Sequence, residues 1–470
     1  MVGITAFGAY IPFNRLDRRK IAEAYGEPVP PGEKAVANYD EDSVTMAVEA
    51  ARDCLAALQP GSLGGVYLAT TTSPYREKLS AATVAAALDT PDTVRTVDFT
   101  SSLRAGSAAL LAAADAAQSG TDNVLVAVAD CRTAAAKGQF EQLFGDAAAS
   151  FVIGSSNVLA EIEDACTVTG DVLTQWREAD DRYVRAWEDR FVVSRGYGPL
   201  VTKALAALAG KMRLAPGDVH KLVLYAPSHR YLAGTARSLG FEQSQVQAGL
   251  FGEVGLTGAA HAPLMLASAL ESAQPGQRIL FATFGEGADA LLFRATANAG
   301  RFMPRRGVTG HLQSKKNTMN YLTYLRWKGM LDFEPPRRPD PERPSAPAMW
   351  RNTRNNLAFY GSRCNSCGTP QIPAQRVCVH CRAKDEMSGH RFADTPARIA
   401  TYTIDHLTVS QDPPTVFAVV DFEGGGRLLC EMTDCDPAAV TIGMEVEMTF
   451  RRLFKAGGIH NYYWKARPKR

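Results

Sequence analysis

The chain has 470 residues, room for about three domains at roughly 150 residues each. Apolar residues make up 46% and charged residues 21%, which excludes wholesale disorder. Fifty-one Lys and Arg against 49 Asp and Glu leave a net charge of +2, so no global field draws the chain to nucleic acid or to an anionic membrane surface.

No run of 18 apolar residues occurs, so no transmembrane helix is expected. The opening MVGITAFGAYIP lacks a basic segment, a long apolar segment and a small-residue cleavage site. The expectation is a soluble, cytoplasmic protein. Nine cysteines are too few for a disulfide scaffold, and four of them, Cys364, Cys367, Cys378 and Cys381, cluster within 18 residues. In a reducing compartment such clustering points to a metal.

Residues 1–299 alternate strands and helices. Segments 66–70 (VYLAT), 94–99 (VRTVDF) and 124–128 (VLVAV) read as buried strands, and the Ala-rich stretches 79–88 and 105–118 read as helices. That alternation predicts a parallel sheet covered by helices. Two passages look alike. Residues 108–130 and 263–284 each give an Ala/Leu helix, a Gly stop (Gly120, Gly276) and a short buried strand. Residues 145–154 (GDAAASFVIG) and 285–295 (GEGADALLFRA) each enter a strand through Gly and an acid. The spacing predicts two similar α/β halves, 1–165 and 166–299, with a site between them.

Residues 300–363 are basic and Pro-rich and read as a linker, irregular over about 333–347. One amphipathic helix is expected within it at 318–331. Cys364-x2-Cys367-x10-Cys378-x2-Cys381 brings two tight knuckles and four thiolates to one ion, a closed tetrahedral set that suits structural Zn2+; a redox dithiol is the alternative. His380 is surplus to that set. The ribbon spans 364–395. Residues 396–470 alternate apolar and polar positions, as in Met444, Val446, Met448 and Phe450 against Glu445, Glu447 and Thr449. Gly424-Gly425-Gly426 separates strands at 416–422 and 427–432 as a hairpin turn. The expectation is a small closed barrel of the OB type.

The words CNSCGTPQIPAQRVCVHC, RIATYTIDH, LLCEMTDCDP and IGMEVEMTF make residues 318–470 resemble the DUF35 family of acyl-CoA-associated proteins. Such modules resemble partners of thiolase-fold enzymes that help to hold the acyl-CoA. The words GITAFGAYIP, EKAVANYDEDSVTMAVEAA, LFGDAAASFVIG and GLTGAAHAPLMLASALE make the first 299 residues resemble the 3-hydroxy-3-methylglutaryl-CoA synthase branch of the thiolase superfamily. The resemblance implies the duplicated thiolase-like fold (αβαβα layers), a CoA thioester as substrate and a homodimer.

Synthases of that branch use a glutamate, a cysteine nucleophile and a histidine. Here the resemblance puts Thr71 at the glutamate and Tyr225-Ala226-Pro227 at the His-x-Pro. Leu103 falls at the cysteine, or Ser102 with a one-residue slip. A leucine accepts no acyl group, and Ser102 needs a base. An aldol or retro-aldol step can keep the thioester on CoA, and some thiolase-fold partners of DUF35 proteins resemble cysteine-less aldolases of this kind. The leading expectation is therefore an acyl-CoA carbon–carbon lyase/synthase acting on a β-hydroxyacyl-CoA. The alternatives are a Claisen-type synthase or thiolase (an acyltransferase) with an unrecognised nucleophile, and a non-catalytic acyl-CoA-binding scaffold.

Candidate acid/base residues are Tyr225, at a strand end, and His229, four positions on. His261, in the Gly-rich turn GLTGAAHAP, and Tyr75, on the turn TSPYREK, complete the set. Each has a plain alternative as a packing or solvated group. Gly285 and Gly287 are candidates for backbone N–H donors to an enolate oxygen, and Glu286 between them for a base. Arg230, with Arg237, Lys211 and Arg213, is a candidate for the CoA phosphates. Cys131 reads as buried filler.

Overall fold

The computed structural model describes residues 1–470 apart from Pro30, Ala57, Gln59, Asp122, Pro335, Pro336, Arg338 and Asp340. Four of these fall in the linker read at 333–347, and Asp122 falls in the 108–130 repeat, so that much of both readings lies outside the described residues. Two compact units form. The first is Met1–Ala37, Asp42–Ala85 and Thr90–Tyr324; the second is Asn38–Glu41, Ala86–Asp89 and Leu325–Arg470. Residues 300–324 thus belong to the first unit. The helix expected at 318–331 covers only Tyr321–Trp327, and the chain turns off at Gly329 with φ +63°.

Nine strands of the first unit make one sheet: β1 (Gly3–Tyr10), β2 (Gly65–Thr70), β3 (Arg95–Thr100), β4 (Val124–Asp130), β5 (Ala147–Gly154), β6 (Ala160–Thr169), β7 (Lys221–Leu224), β8 (Arg278–Gly285) and β9 (Gly287–Ala295). Their order is β7-β8-β9-β6-β1-β5-β4-β2-β3. At the centre β1 pairs antiparallel with β6 through Gly3 and Ile4.

Outward from that seam the ladder repeats itself. β1 pairs antiparallel with β5 as β6 does with β9, and β5 pairs antiparallel with β4 as β9 does with β8. β4 runs parallel to β2 as β8 does to β7. The next position matches too: β2 pairs parallel with β3, and Leu222 on β7 makes a parallel bridge to Val246. The duplication expected from the repeats is written into this hydrogen-bond pattern. The expected parallel sheet is corrected to a mixed one. The cause lies in β5 and β9, which enter antiparallel: β8 and β9 meet directly at Gly285 and Gly287, a connection too short for a parallel crossover.

The helices repeat as well. α1 (Ser43–Cys54) packs on β1, β5 and β4, and α3 (Gly198–Met212) packs on their counterparts β6, β9 and β8. α2 (Ala105–Gln118) packs on β4, β2 and β5, and α5 (His261–Glu271) on β5 and β7. Small residues let α2 and α5 approach: a Cβ on Gly106 would meet Pro263 Cγ and Val128 Cγ1 at 3.1 Å. The apolar runs of β4 and β5 are buried throughout, as expected of strands covered on both sides. A further helix, α4 (His229–Ser238), follows β7.

In the second unit β10 (Tyr360–Cys364), β11 (Pro370–Gln371) and β12 (Met387–Arg391) form the ribbon in the order β11-β10-β12. β13 (Ala397–Asp405), β14 (Thr415–Phe422), β15 (Arg427–Glu431), β16 (Glu445–Ala456) and β17 (Ile459–Pro468) form an antiparallel sheet in the order β15-β14-β13-β16-β17. A bridge from Met432 to Ala466 joins its two ends and closes the barrel.

The alternation read on β16 holds for Val446, Met448 and Phe450, which are buried. The partner face, expected to be wet, is buried as well: Glu447, Thr449 and Arg451 are covered. Arg451 is neutralised there by Glu41 and by Asp434 at 2.6 Å, and Lys465 by Asp40 at 3.0 Å and Glu431 at 2.7 Å. Residues 38–41 of this unit supply counter-charges that no local pattern could show. Among the described residues no helix is long and apolar enough to cross a membrane.

Candidate active site and zinc centre

A cleft of about 750 Å3 opens in the first unit at the carboxyl ends of the parallel strands β2, β3 and β4, where open α/β sheets place their ligand sites. Thr71, Tyr75, Ser101, Leu103, Arg132, Gln175, Arg177 and Glu286 line it. Thr71 and Leu103, the positions that resemblance gives to a glutamate and a cysteine, therefore both face one cavity. Leu103 stands just before α2, where a helix N-terminus would favour a thiolate if a thiol were present.

Asp130 ends β4 and is fully buried. Its Oδ1 accepts from the Thr70 hydroxyl at 3.0 Å, the Thr71 amide at 2.7 Å and the Thr72 hydroxyl at 3.1 Å. Its Oδ2 accepts from the Thr71 hydroxyl at 2.9 Å and the Ala259 amide at 2.8 Å. One carboxylate thus ties the end of β2 to the turn before α5. Gly258 permits this: its φ is +59°, and a Cβ there would lie 2.2 Å from Asp130 Oδ2.

Arg132, two residues on, is 7% exposed. One of its nitrogens, Nη2, donates to Gln175 Oε1 at 3.0 Å, and its guanidinium carbon lies 4.6 Å from the Phe144 ring centroid. Nε and Nη1 have no partner among the described residues. Burial holds this guanidinium below its ordinary range, Asp130 and Tyr225 pull it back up, and Arg177 pushes it down.

The turn before α2 is strained at Ser101, whose φ is +71°. Next to it the Ser102 hydroxyl donates to Glu286 Oε2 at 2.6 Å. Arg104 grips Asp289 through Nε at 3.1 Å and Nη2 at 2.8 Å, and donates from Nη1 to the Glu286 carbonyl at 3.1 Å. These bonds fasten the start of α2 to β9.

The sequence candidates scatter around this cleft. Tyr75 lines it, and Ser102 reaches it through Glu286. Tyr225 and His261 do not line it. They lie buried behind, with ring centroids 6.0 Å apart. Burial, reinforced by Asp130 and opposed by Arg132, pushes the Tyr225 phenol up to about 12. Burial alone takes His261 down to about 3, so its imidazole is neutral; Nδ1 meets the Thr257 amide at 3.5 Å and Nε2 has no partner among the described residues.

His229 and Arg230 are exposed at the start of α4, and Arg230 is not part of the cleft lining. Gly285 and Gly287 pack against the turn before α2: a Cβ on Gly285 would meet Ser102 Oγ at 2.8 Å, and one on Gly287 would meet Arg104 Nη1 at 2.4 Å. Close approach accounts for both glycines. Cys131 is half-buried outside the cleft lining, and its amide donates to the Thr72 hydroxyl at 3.1 Å. Lys211 pairs with Asp164 at 2.7 Å. Sequence reasoning missed Asp130, Arg132, Gln175 and Arg177. The one available signal was an acid at the end of a buried strand, in VLVAVAD.

In the second unit the four sulfurs of Cys364, Cys367, Cys378 and Cys381 lie within 4.8 Å of one another. Cys364 and Cys381 are 3.6 Å apart and Cys367 and Cys378 3.5 Å apart. A tetrahedron of thiolates about 2.3 Å from Zn2+ has edges of about 3.8 Å, so the set fits zinc. Gly368 turns the first knuckle at φ +77°. Four sulfurs leave no open position, which marks the zinc as structural. His380 lies outside the set and gives only its amide, 3.4 Å from Cys378 Sγ.

A duplicated sheet with paired helices, a cleft at the strand ends and a separate ribbon and barrel define a thiolase-fold protein with an appended zinc-ribbon/OB module. Family models match in the same order: 3-oxoacyl-[acyl-carrier-protein (ACP)] synthase III C terminal over 210–294, ChsH2 rubredoxin-like zinc ribbon domain over 357–387, and ChsH2 C-terminal OB-fold domain over 391–451. The chain belongs to the hydroxymethylglutaryl-CoA synthase family. It is 31% identical over 341 residues to the hydroxymethylglutaryl-CoA synthase of Methanocaldococcus jannaschii, covering 70% of this chain and 99% of that protein. It is 32% identical over 343 residues to that of Caldivirga maquilingensis, covering 70% and 98%.

Among solved structures, the HMG synthase of the curacin biosynthetic pathway in complex with its acetyl donor-ACP superposes with a TM-score of 0.62 at 19% identity, over 70% of this chain and 88% of that one. MvaS in complex with 3-hydroxy-3-methylglutaryl coenzyme A gives 0.62 at 20% identity, over 73% and 94%. At these identities the likeness speaks for the fold.

Proposed function

We propose that this chain makes or breaks a carbon–carbon bond beside the carbonyl of an acyl-CoA thioester, with the thioester remaining on CoA throughout. Membership in a family of synthases supports the reaction class. The single observation that carries the finer reading is that Leu103, which resemblance puts at the family's cysteine (or Ser102 with a one-residue slip), lines the cleft with a side chain that holds no nucleophile. In the cleavage direction a base takes the β-hydroxyl proton, the Cα–Cβ bond breaks, a ketone or aldehyde leaves, and the electron pair passes to the thioester enolate, which is protonated at Cα. Glu286 and Tyr75 both face the cleft and supply a base and a hydroxyl donor. Tyr225, protonated at neutral pH and absent from the cleft lining, takes no part in this step.

A second reading has independent support. The named relatives are synthases and favour acyl transfer of the Claisen type over an aldolase. Ser102 is the candidate acceptor, because its hydroxyl already donates to Glu286 at 2.6 Å. In that route Glu286 takes the Ser102 proton, the oxygen attacks the thioester carbonyl, and CoA leaves as the thiol. Product analysis on a β-hydroxyacyl-CoA with the wild type and Ser102→Ala separates the two. Release of ketone or aldehyde that survives the substitution supports the first reading. A loss of about 1,000-fold or more, the scale expected for a nucleophile, moves the assignment to the second. No turnover of any acyl-CoA by either protein leaves the scaffold reading. The homodimer expected from resemblance belongs to the same proposal and is read by sedimentation.

A further inference from the structure

Arg132 sits in an unusual electrical position. Its guanidinium is more than nine-tenths buried, it lines the cleft, and two of its three nitrogens have no partner among the described residues. The nearest buried carboxylate, Asp130, does not serve it, because both Asp130 oxygens are filled by Thr70, Thr71, Thr72 and Ala259. A second arginine lines the same wall: Arg177 donates from Nη2 to the Thr71 carbonyl at 2.8 Å and forms no ion pair among the described residues. The two like charges are close enough to feel each other.

Three of the four acids that line the cleft are committed elsewhere, and the fourth, Glu178, is exposed to solvent. Asp98 caps the helix Ser80–Leu88 by accepting the Ser80 and Ala81 amides at 2.7 Å each. Asp181 pairs with Arg185 and accepts the Glu178 amide at 2.9 Å, and Glu286 holds Ser102. A buried cation with orphaned N–H groups costs folding free energy, and a second cation beside it adds to that cost. An anion brought between them would satisfy both.

We propose that Arg132 and Arg177 form a carboxylate-binding subsite in the cleft, so that the preferred substrate is an acyl-CoA whose acyl chain bears a second, free carboxylate. This deepens the acyl-CoA reading above and rests on it. The carboxylate is assigned to the acyl part because Arg132 shares its wall with Thr71 and Leu103, the positions at which the family works on the reacting carbonyl. Gln175, a neutral side chain on Arg132 Nη2, holds the third nitrogen until the carboxylate arrives.

The test is calorimetric titration of the full chain with malonyl-, succinyl- and glutaryl-CoA, each against the alkyl ester of equal length (propionyl-, butyryl- and pentanoyl-CoA), with free CoA as the control. A charge-assisted hydrogen-bond pair predicts at least one dicarboxylyl ester bound about tenfold or more tighter than its alkyl partner. That advantage should vanish in Arg132→Met and shrink in Arg177→Met, with free CoA affinity unchanged. Arg177 is exposed, so its variant reads the site even if Arg132→Met fails to fold. Equal binding of every pair by the wild type overturns the subsite and leaves the acyl-CoA reading standing. An equal weakening of free CoA in the variants also overturns it, by assigning the arginines to CoA phosphates. Failure to bind any CoA ester sinks the acyl-CoA reading itself.

Discussion

The Asp130 carboxylate accepts both the amide and the hydroxyl of Thr71, at 2.7 and 2.9 Å. Thr71, which resemblance puts at the branch's glutamate, is thus held as a structural threonine, and the nearby acid is spent holding it. Asp130→Asn places an NH2 group against donors it cannot accept from. The expected loss is about 3 kcal/mol, read as a shift in the urea midpoint with unchanged slope. A change under about 0.5 kcal/mol would mean that the five bonds do not hold the site.

Leu103→Cys should restore a reactive sulfur without restoring the rest of the machinery. The position faces the cleft just before α2, so the helix N-terminus should draw the new thiol below its free value of about 8.5. Iodoacetamide should label position 103 of this variant faster than any cysteine of the wild type, and peptide mapping checks it. A variant labelled no faster would place that position away from the cavity.

His261 predicts a pH effect of definite sign. Its folded pKa of about 3 lies below the ordinary 6.5. As pH falls through 6.5 the unfolded chain binds a proton that the folded chain refuses until about 3. The stabilisation is therefore complete above about pH 6.5 and is lost progressively below it, at about 1.4 kcal/mol per pH unit. Urea unfolding from about pH 7 to about pH 4.5, a window on the acid side of the free imidazole, should show a shallower pH slope in His261→Gln than in the wild type; parallel slopes would contradict a buried, neutral imidazole.

Removing zinc should act locally. A four-thiolate ribbon has too few apolar residues to fold without its metal. Cys364→Ser should lower bound zinc from one ion per chain to a small fraction, by elemental analysis, and raise hydrogen exchange across β10 and β12. Exchange in the barrel strands β13 to β17 should stay near wild type.

The zinc set was legible because both knuckles are local in sequence, and the duplication because Ala/Leu helices, glycine stops and Gly-acid strand entries repeat. What escaped was non-local. The antiparallel entries of β5 and β9 depend on tertiary pairing, so a parallel sheet was the natural reading. Glu447 and Thr449 read as solvent-facing because their partner, Arg467, comes from the neighbouring strand β17, and the counter-charges of Arg451 and Lys465 lie some 400 positions away at residues 40 and 41. Arg132 looks like any charge after a strand until burial removes its solvent. Tyr225 was placed by resemblance at a histidine position, whereas the cleft is lined by side chains from three other strand ends and from 174–179.

A thioester that stays on CoA throughout requires that no acyl group ever pass to the protein. Intact-mass measurement of the wild-type chain, acid-quenched within milliseconds of mixing with acyl-CoA substrates, tests it most directly. Only the unmodified mass is expected at every time point while products accumulate. A transient gain equal to one acyl group, mapped to Ser102 or to any cysteine of the first unit, would contradict it.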